Sequence, residues 1–157
     1  MAIYQLLSNG YIKKEDGKII PNIESNSDYY EYLKWVSAGN TPDPIDIDDR
    51  RANVKTQARL KRDYKVNASI SFDGKLFAGT LDAQRQLGAL VASMTDSDSA
   101  NFTADDGTRA SYTKSQLLQI LVLMRNKDQL AYNKYAELVA QINASTNPES
   151  INVNDGW

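Results

Sequence analysis

Three of the chain's four Asp-Gly dipeptides, Asp16-Gly17, Asp73-Gly74 and Asp106-Gly107, each stand between short apolar or alternating runs. Glycine enters the left-handed backbone region with no Cβ penalty, and aspartate tolerates it, so each dipeptide predicts a tight β-hairpin. Between the turns, apolar residues recur at three- and four-residue steps, the period of an amphipathic helix. The two patterns together predict an α+β fold: a small N-terminal β-hairpin plus helix module, a proline linker, then a C-terminal module of β-hairpins packed with helices and one long final helix. The boundaries fall at residues 1–40, 41–48 and 49–145, with 146–157 as an extended or disordered tail.

Within the first module, "YIKKEDGKIIP" predicts paired strands over 11–14 and 18–20, with 3–7 available as a third. The stretch "DYYEYLKWVSAGNTPDP" predicts a short helix: Ser27 or Asp28 can cap it, Glu31 lies three residues beyond Asp28, Gly39 suits its end, and Pro42 and Pro44 forbid continuation. Tyr29, Leu33 and Val36 recur at i, i+4, i+7, with Tyr32 and Trp35 on an adjoining strip. So short a helix is marginal alone in water, and its aromatics must pack against something. Two receivers are open: the N-terminal hairpin, forming a mini-core, or a partner protein.

After the extended "GNTPDPIDIDD", Asp46 or Asp48 can cap a second helix with acids at its start, bases at its end and a thin apolar stripe of Val54, Ala58 and Tyr64. A second hairpin carries Ile70, Phe72 and Leu76 around Asp73-Gly74. Thr80 caps a third helix whose Leu81, Leu87, Leu90, Val91 and Met94 face inward, and Thr113 with Gln116 makes a capping box for the last helix, 114–143. On that helix Leu117, Leu121, Met124, Ala131, Tyr135, Leu138 and Ile142 follow three- and four-residue steps, interrupted by Asp128. This spacing fits a core face and fits a coiled-coil seam, so a homo-oligomer built on it stays open. Trp157 at the end of a polar tail offers one apolar anchor for a neighbour.

The chain of 157 residues holds no cysteine and no histidine, which removes disulfides, thiolate sites, the common nucleophile triads and the usual general base. Any reaction would depend on carboxylates, lysine, tyrosine or serine, and no cofactor or metal motif is present. Asp43, Asp46, Asp48 and Asp49 lack the glycine turn and bidentate acid of a calcium loop and read as capping residues. Asp105 and Asp106, beside Gly107, read as hairpin-turn residues. No apolar run reaches the length of a membrane span or of an export signal, so the expectation is a soluble protein not exported by the classical route, with no membrane partner.

Arg50, Arg51, Lys55, Arg59, Lys61, Arg62 and Lys65 form a basic helix over 50–65, answered by Asp63 alone. Such a face can grip phosphates. With no interleaved aromatic before Tyr64 and a net charge of -2, a solvated face or one meeting an acidic partner is the simpler expectation, without nucleic acid.

The order "DGKIIP … NSDYYEYLKWVSAGNTPDP" resembles a segment of tailed-phage fibre and fibre-associated proteins, in which a DG-x-x-IP turn precedes a Y-x-x-Y-L-x-W helix and a GNTP exit. The second half resembles an uncharacterised phage domain that follows this segment: a basic helix ending in Arg62-Asp63, then "FDGKLFAGTLDAQRQLGAL", then "ADDGTRASYT" entering a long final helix. Phe102 stands where relatives often carry tryptophan. The resemblance spans residues 10–145 and implies a non-enzymatic structural component of a phage tail, made in the host cytoplasm and located on the virion at or near the fibres. The partner it implies is a phage tail or tail-fibre protein. Partner-binding candidates are Tyr29, Tyr32, Leu33, Trp35, Val36, Leu121, Met124, Tyr135, Leu138 and Trp157. A tail-fibre assembly chaperone and a nucleic-acid-binding module are the alternatives.

Overall fold

A computed structural model describes residues 3–7 and 9–157; Met1, Ala2 and Ser8, which the N-terminal module would include, lie outside the described residues. The architecture is α+β, with an N-terminal sheet and helix, a proline segment, hairpins joined to helices and one long final helix. The backbone forms two compact units, Met1–Thr56 with Gln141–Ile151, and Gln57–Ala140 with Asn152–Trp157.

In the first unit, β1 (Tyr4–Leu6), β2 (Ile12–Lys14) and β3 (Ile19–Ile20) make an antiparallel sheet in that order. The β2–β3 turn works as its sequence predicts. Lys14 donates its N–H to the Lys18 carbonyl at 2.9 Å, Gly17 takes φ +88°, and the Asp16 carboxylate accepts the Lys18 N–H at 2.9 Å. The helix α1 (Ser27–Ser37) is capped by Asn26, one residue before Ser27 and two before Asp28: Asn26 Oδ1 accepts the N–H groups of Asp28 at 2.9 Å and Tyr29 at 3.1 Å. Asparagine satisfies two of the helix's orphan donors at once, which leaves Ser27 and Asp28 inside the first turn.

The aromatic strip of α1 closes over the sheet. Tyr4 meets Tyr32 and Trp35 edge-on, with ring centroids 5.2 and 5.1 Å apart, and Tyr4, Ile12, Ile20 and Tyr32 form the buried core. The proline segment is hydrogen-bonded as well. Pro42 and Pro44 have no N–H, and the one donor between them, on Asp43, reaches the Tyr4 carbonyl at 2.8 Å while the Asp43 carbonyl accepts from Leu6 at 2.9 Å. Asp43 thus covers the outer edge of β1, which would otherwise present unpaired backbone groups.

The helix α2 (Ile47–Asn67) is capped by Asp46, whose carboxylate accepts the Asp48 N–H at 2.8 Å. Val54 and Ala58 are buried, but Tyr64 is 69% exposed and drops out of the expected stripe. Arg50, in the first turn, forks onto Glu149 at 2.7 and 2.5 Å and reaches Asn147 at 2.9 Å. Pro148–Ser150 form a 3-10 turn and Pro148 is fully buried.

In the second unit, β4 (Ile70–Phe72) and β5 (Lys75–Phe77) turn through Asp73 at φ +50° and Gly74 at φ +73°, two left-handed residues in succession. Ile70 pairs with Phe77 and both are buried, whereas Leu76 opposes Ser71 and is exposed. The inward set is therefore Ile70 and Phe77, with Phe72 partly buried beside them and Leu76 on the outer face. The helix α3 (Leu81–Ala92), capped by the Thr80 hydroxyl, buries Leu87 and Val91, and Met94 just beyond it is buried too. Leu81, its first residue, is exposed instead of facing inward.

The hairpin β6 (Ser99–Thr103) and β7 (Arg109–Thr113) runs directly into α4 (Lys114–Ala144). The junction is a reciprocal capping box. Gln116 Oε1 accepts the Thr113 N–H at 2.9 Å and Thr113 Oγ1 accepts the Gln116 N–H at 3.3 Å. Phe77 stacks on Phe102 at 5.6 Å and meets Tyr112 edge-on at 5.8 Å, over a floor of Leu87, Leu117, Ile120 and Met124. Among the described residues no helix is long and apolar enough to cross a membrane.

Candidate functional site

The helix α4 repeats itself at a period of seven: "LMRNK" over 123–127 returns as "LAYNK" over 130–134. Seven residues are close to two full turns, so the repeated Leu, Asn and Lys lie along one stripe. That stripe lines an open groove of about 780 Å³ in the second unit. Its other walls are Lys65 at the end of α2, Ala68 and Ser69 after it, and Gly156 and Trp157. The Trp157 indole N–H donates to the Val153 carbonyl at 2.8 Å, which fixes the ring. Gly156 takes φ +72°, and a Cβ there would come within 3.1 Å of Lys134 Nζ.

The first lysine of the repeat is fully engaged. Lys127 Nζ donates to the carbonyls of Val66 at 2.5 Å, Ala68 at 2.7 Å and Gly79 at 3.0 Å. An ammonium has three donors, and here each has a carbonyl; Val66 lies in the last turn of α2, where helix carbonyls lack partners and the dipole favours a cation. Asp128 stands beside it at 3.4 Å and accepts from Gln84 Nε2 at 2.7 Å, and Gln84 also donates to the Gly79 carbonyl at 3.1 Å. Gly79 is required for room: a Cβ would sit 2.0 Å from the Ala68 oxygen and 2.2 Å from Lys127 Nζ. This network accounts for Asp128, the residue that breaks the apolar seam of α4.

The candidate partner-binding residues fall into different surroundings. Tyr32 is buried, and Tyr29, Trp35 and Val36 are packed beside it in the first unit's core, while Leu33 is 41% exposed. Leu121 and Met124 belong to the second unit's core, and Leu138 is buried. The buried ones, Tyr32, Leu121, Met124 and Leu138, present no surface to a neighbour without rearrangement, while Tyr29, Trp35 and Val36 stay partly exposed. Tyr135 is half-buried, its ring centroid 4.7 Å from the Arg62 guanidinium, which also lies 5.2 Å from Tyr132. Trp157 is the one candidate in the groove. The groove's Leu123, Leu130, Asn126, Asn133 and Lys134 were not singled out by sequence reasoning, and Lys65 was read only as part of the basic helix. Their signal was the seven-residue repeat, overshadowed by the stronger buried stripe on the same helix.

Several charges of the basic helix are committed within the chain. Arg50 holds Glu149, Arg51 holds Asp48 at 3.2 Å and the Ser145 carbonyl at 3.0 Å, and Arg62 holds Asp63 at 2.6 Å besides the two tyrosine rings. The perturbed ionisable groups have local causes. Backbone N–H groups of Thr95 and Thr108 hold the Asp98 and Asp106 carboxyls below the ordinary range, and hydrogen bonds from Arg50 do the same for Glu149. A hydrogen bond to Asp28 pushes the Lys18 ammonium up, and burial pushes the Tyr32 phenol up. Among the described residues no three acids gather where a metal ion could sit.

Fold and site together define a small α+β protein whose perturbed charges serve turns and ion pairs and which carries an open apolar groove with a basic rim. The chain belongs to the family described as a domain of unknown function (DUF4376), whose model matches residues 49–155. Neither a curated protein nor a solved structure matches the chain.

Proposed function

We propose that the protein is a non-enzymatic structural component of a bacteriophage tail, associated with the tail fibres and fastened to another tail protein. The observation that carries this reading is the order of segments over 10–44: a DG-x-x-IP turn, a Y-x-x-Y-L-x-W helix and a GNTP exit, followed by the family domain from residue 49. The parts of that motif have folding duties. Gly17 makes the turn, Ile20 enters the core, Tyr29, Tyr32 and Trp35 roof it, and Gly39 ends α1 at φ +91°. A motif spent on holding one small fold together supports a portable docking module better than it supports a reactive centre. The lysine at the heart of the second unit supports the same reading, because its donors are consumed by backbone carbonyls.

Mass spectrometry of purified phage particles tests this. The chain should be found at a stoichiometry comparable to the fibre protein. Its absence from particles whose fibre peptides are well covered overturns the assignment.

A further inference from the structure

We infer that the groove of the second unit is a docking site for an acidic, leucine-bearing helix of another protein. The α4 residues that line it run from Leu123 to Glu137, fourteen helical steps that rise about 21 Å, the reach of a peptide segment and not of a compact metabolite. Leu123 and Leu130, one repeat apart, are 39% and 69% exposed. Isolated exposed leucines are ordinary. Two on one stripe, in a concavity walled by a tryptophan, form the kind of patch that marks an interaction surface. The seven-residue recurrence of Leu and Asn matches what a second helix reads, knob into hole, along a shared seam.

Charge selects the occupant. The lining holds Lys65, Lys127 and Lys134 against Glu137 alone. Lys127 is taken up by its three carbonyls and Lys134 shares its charge with Glu137 at 3.4 Å, so the rim keeps a net positive charge carried chiefly by Lys65, and acids on the incoming helix complement it. A second copy docked through this same groove would set one net-positive rim against another, which disfavours self-pairing. The inference needs only the groove and stands apart from whether the protein rides on a phage tail.

The test uses the full chain and a helix-stabilised synthetic peptide of about five turns, with leucines at seven-residue spacing flanked by glutamates. One twin carries lysines for the glutamates, another serines for the leucines. Two-dimensional NMR should show the Trp157 indole and the amides of Leu130, Asn133 and Lys134 shifting with the acidic peptide. Both twins should bind about tenfold more weakly, the yield of two exposed charge contacts or of the lost apolar anchors. In the double variant Lys65→Glu with Lys134→Glu the preference should invert toward the basic twin. Equal affinity for all three peptides, shifts confined to other surfaces, or no shift at all overturns the proposal. So does sedimentation showing a dimer that Leu130→Glu dissociates, which would assign the groove to a second copy.

Discussion

Lys127 shows how one side chain decides what its neighbours are allowed to be. It satisfies three backbone carbonyls, forbids a Cβ at Gly79 and stands beside Asp128, which holds Gln84. Replacing it with methionine keeps the stem and leaves those carbonyls without a donor, so Lys127→Met should lower unfolding free energy by about 2–3 kcal/mol in urea titrations, while Lys134→Met on the groove rim stays within about 0.5 kcal/mol. Gly79→Ala should cost about 1–3 kcal/mol by overpacking against backbone. The interruption of the seam at Asp128 is visible in the sequence, but its reason is not, because Gln84 is 44 residues away and close approach leaves no composition signal. The titrating residues give a pH expectation. Asp106 and Glu149 have folded values lowered from 3.8 and 4.5, so their contribution is present above those ordinary values and disappears as pH falls through the lowered ones. The urea midpoint should therefore decline on the acid side of that range, and Asp106→Asn, which keeps an acceptor for Thr108 but no charge, should flatten the decline.

Elements show where local chemistry suffices and where it does not. The expected hairpins form because each Asp-Gly supplies its own left-handed turn, and the α4 capping box is found where its Thr and Gln stand. Thr113→Ala should cost about 1 kcal/mol. The start of α1 separates two adjacent readings: Asn26→Ala should cost about 1 kcal/mol in thermal or urea unfolding, and Ser27→Ala almost nothing. Register was harder to read than existence. Across a two-residue turn Phe72 pairs with Lys75, so parity places Phe77 inward and Leu76 outward, and counting apolar residues without that pairing picks the wrong face. On α4 two apolar stripes overlap between Leu117 and Leu130. The buried one follows the three-four spacing, and the exposed one emerges only when the exact seven-residue repeat is compared.

At the scale of the molecule, the chain spends its unusual sequence on being held. Pro-Asp-Pro reads as a free linker, yet its single N–H is used on β1, and the polar terminal stretch buries Pro148 and Val153. Neither placement has a periodicity to announce it, and that of Asp43 depends on a strand far away in sequence. Among the surfaces open to a partner are Leu33 on α1 and the groove of the second unit, and the proposed role is attachment to another tail protein. Lysine-directed crosslinking of purified phage particles, read by mass spectrometry, bears on that role most directly. The predicted result is crosslinks from this chain to a fibre or fibre-proximal protein, with Lys65 or Lys134 among the linked residues. Particles that lack the chain, or that carry it with crosslinks only to itself, would contradict the account.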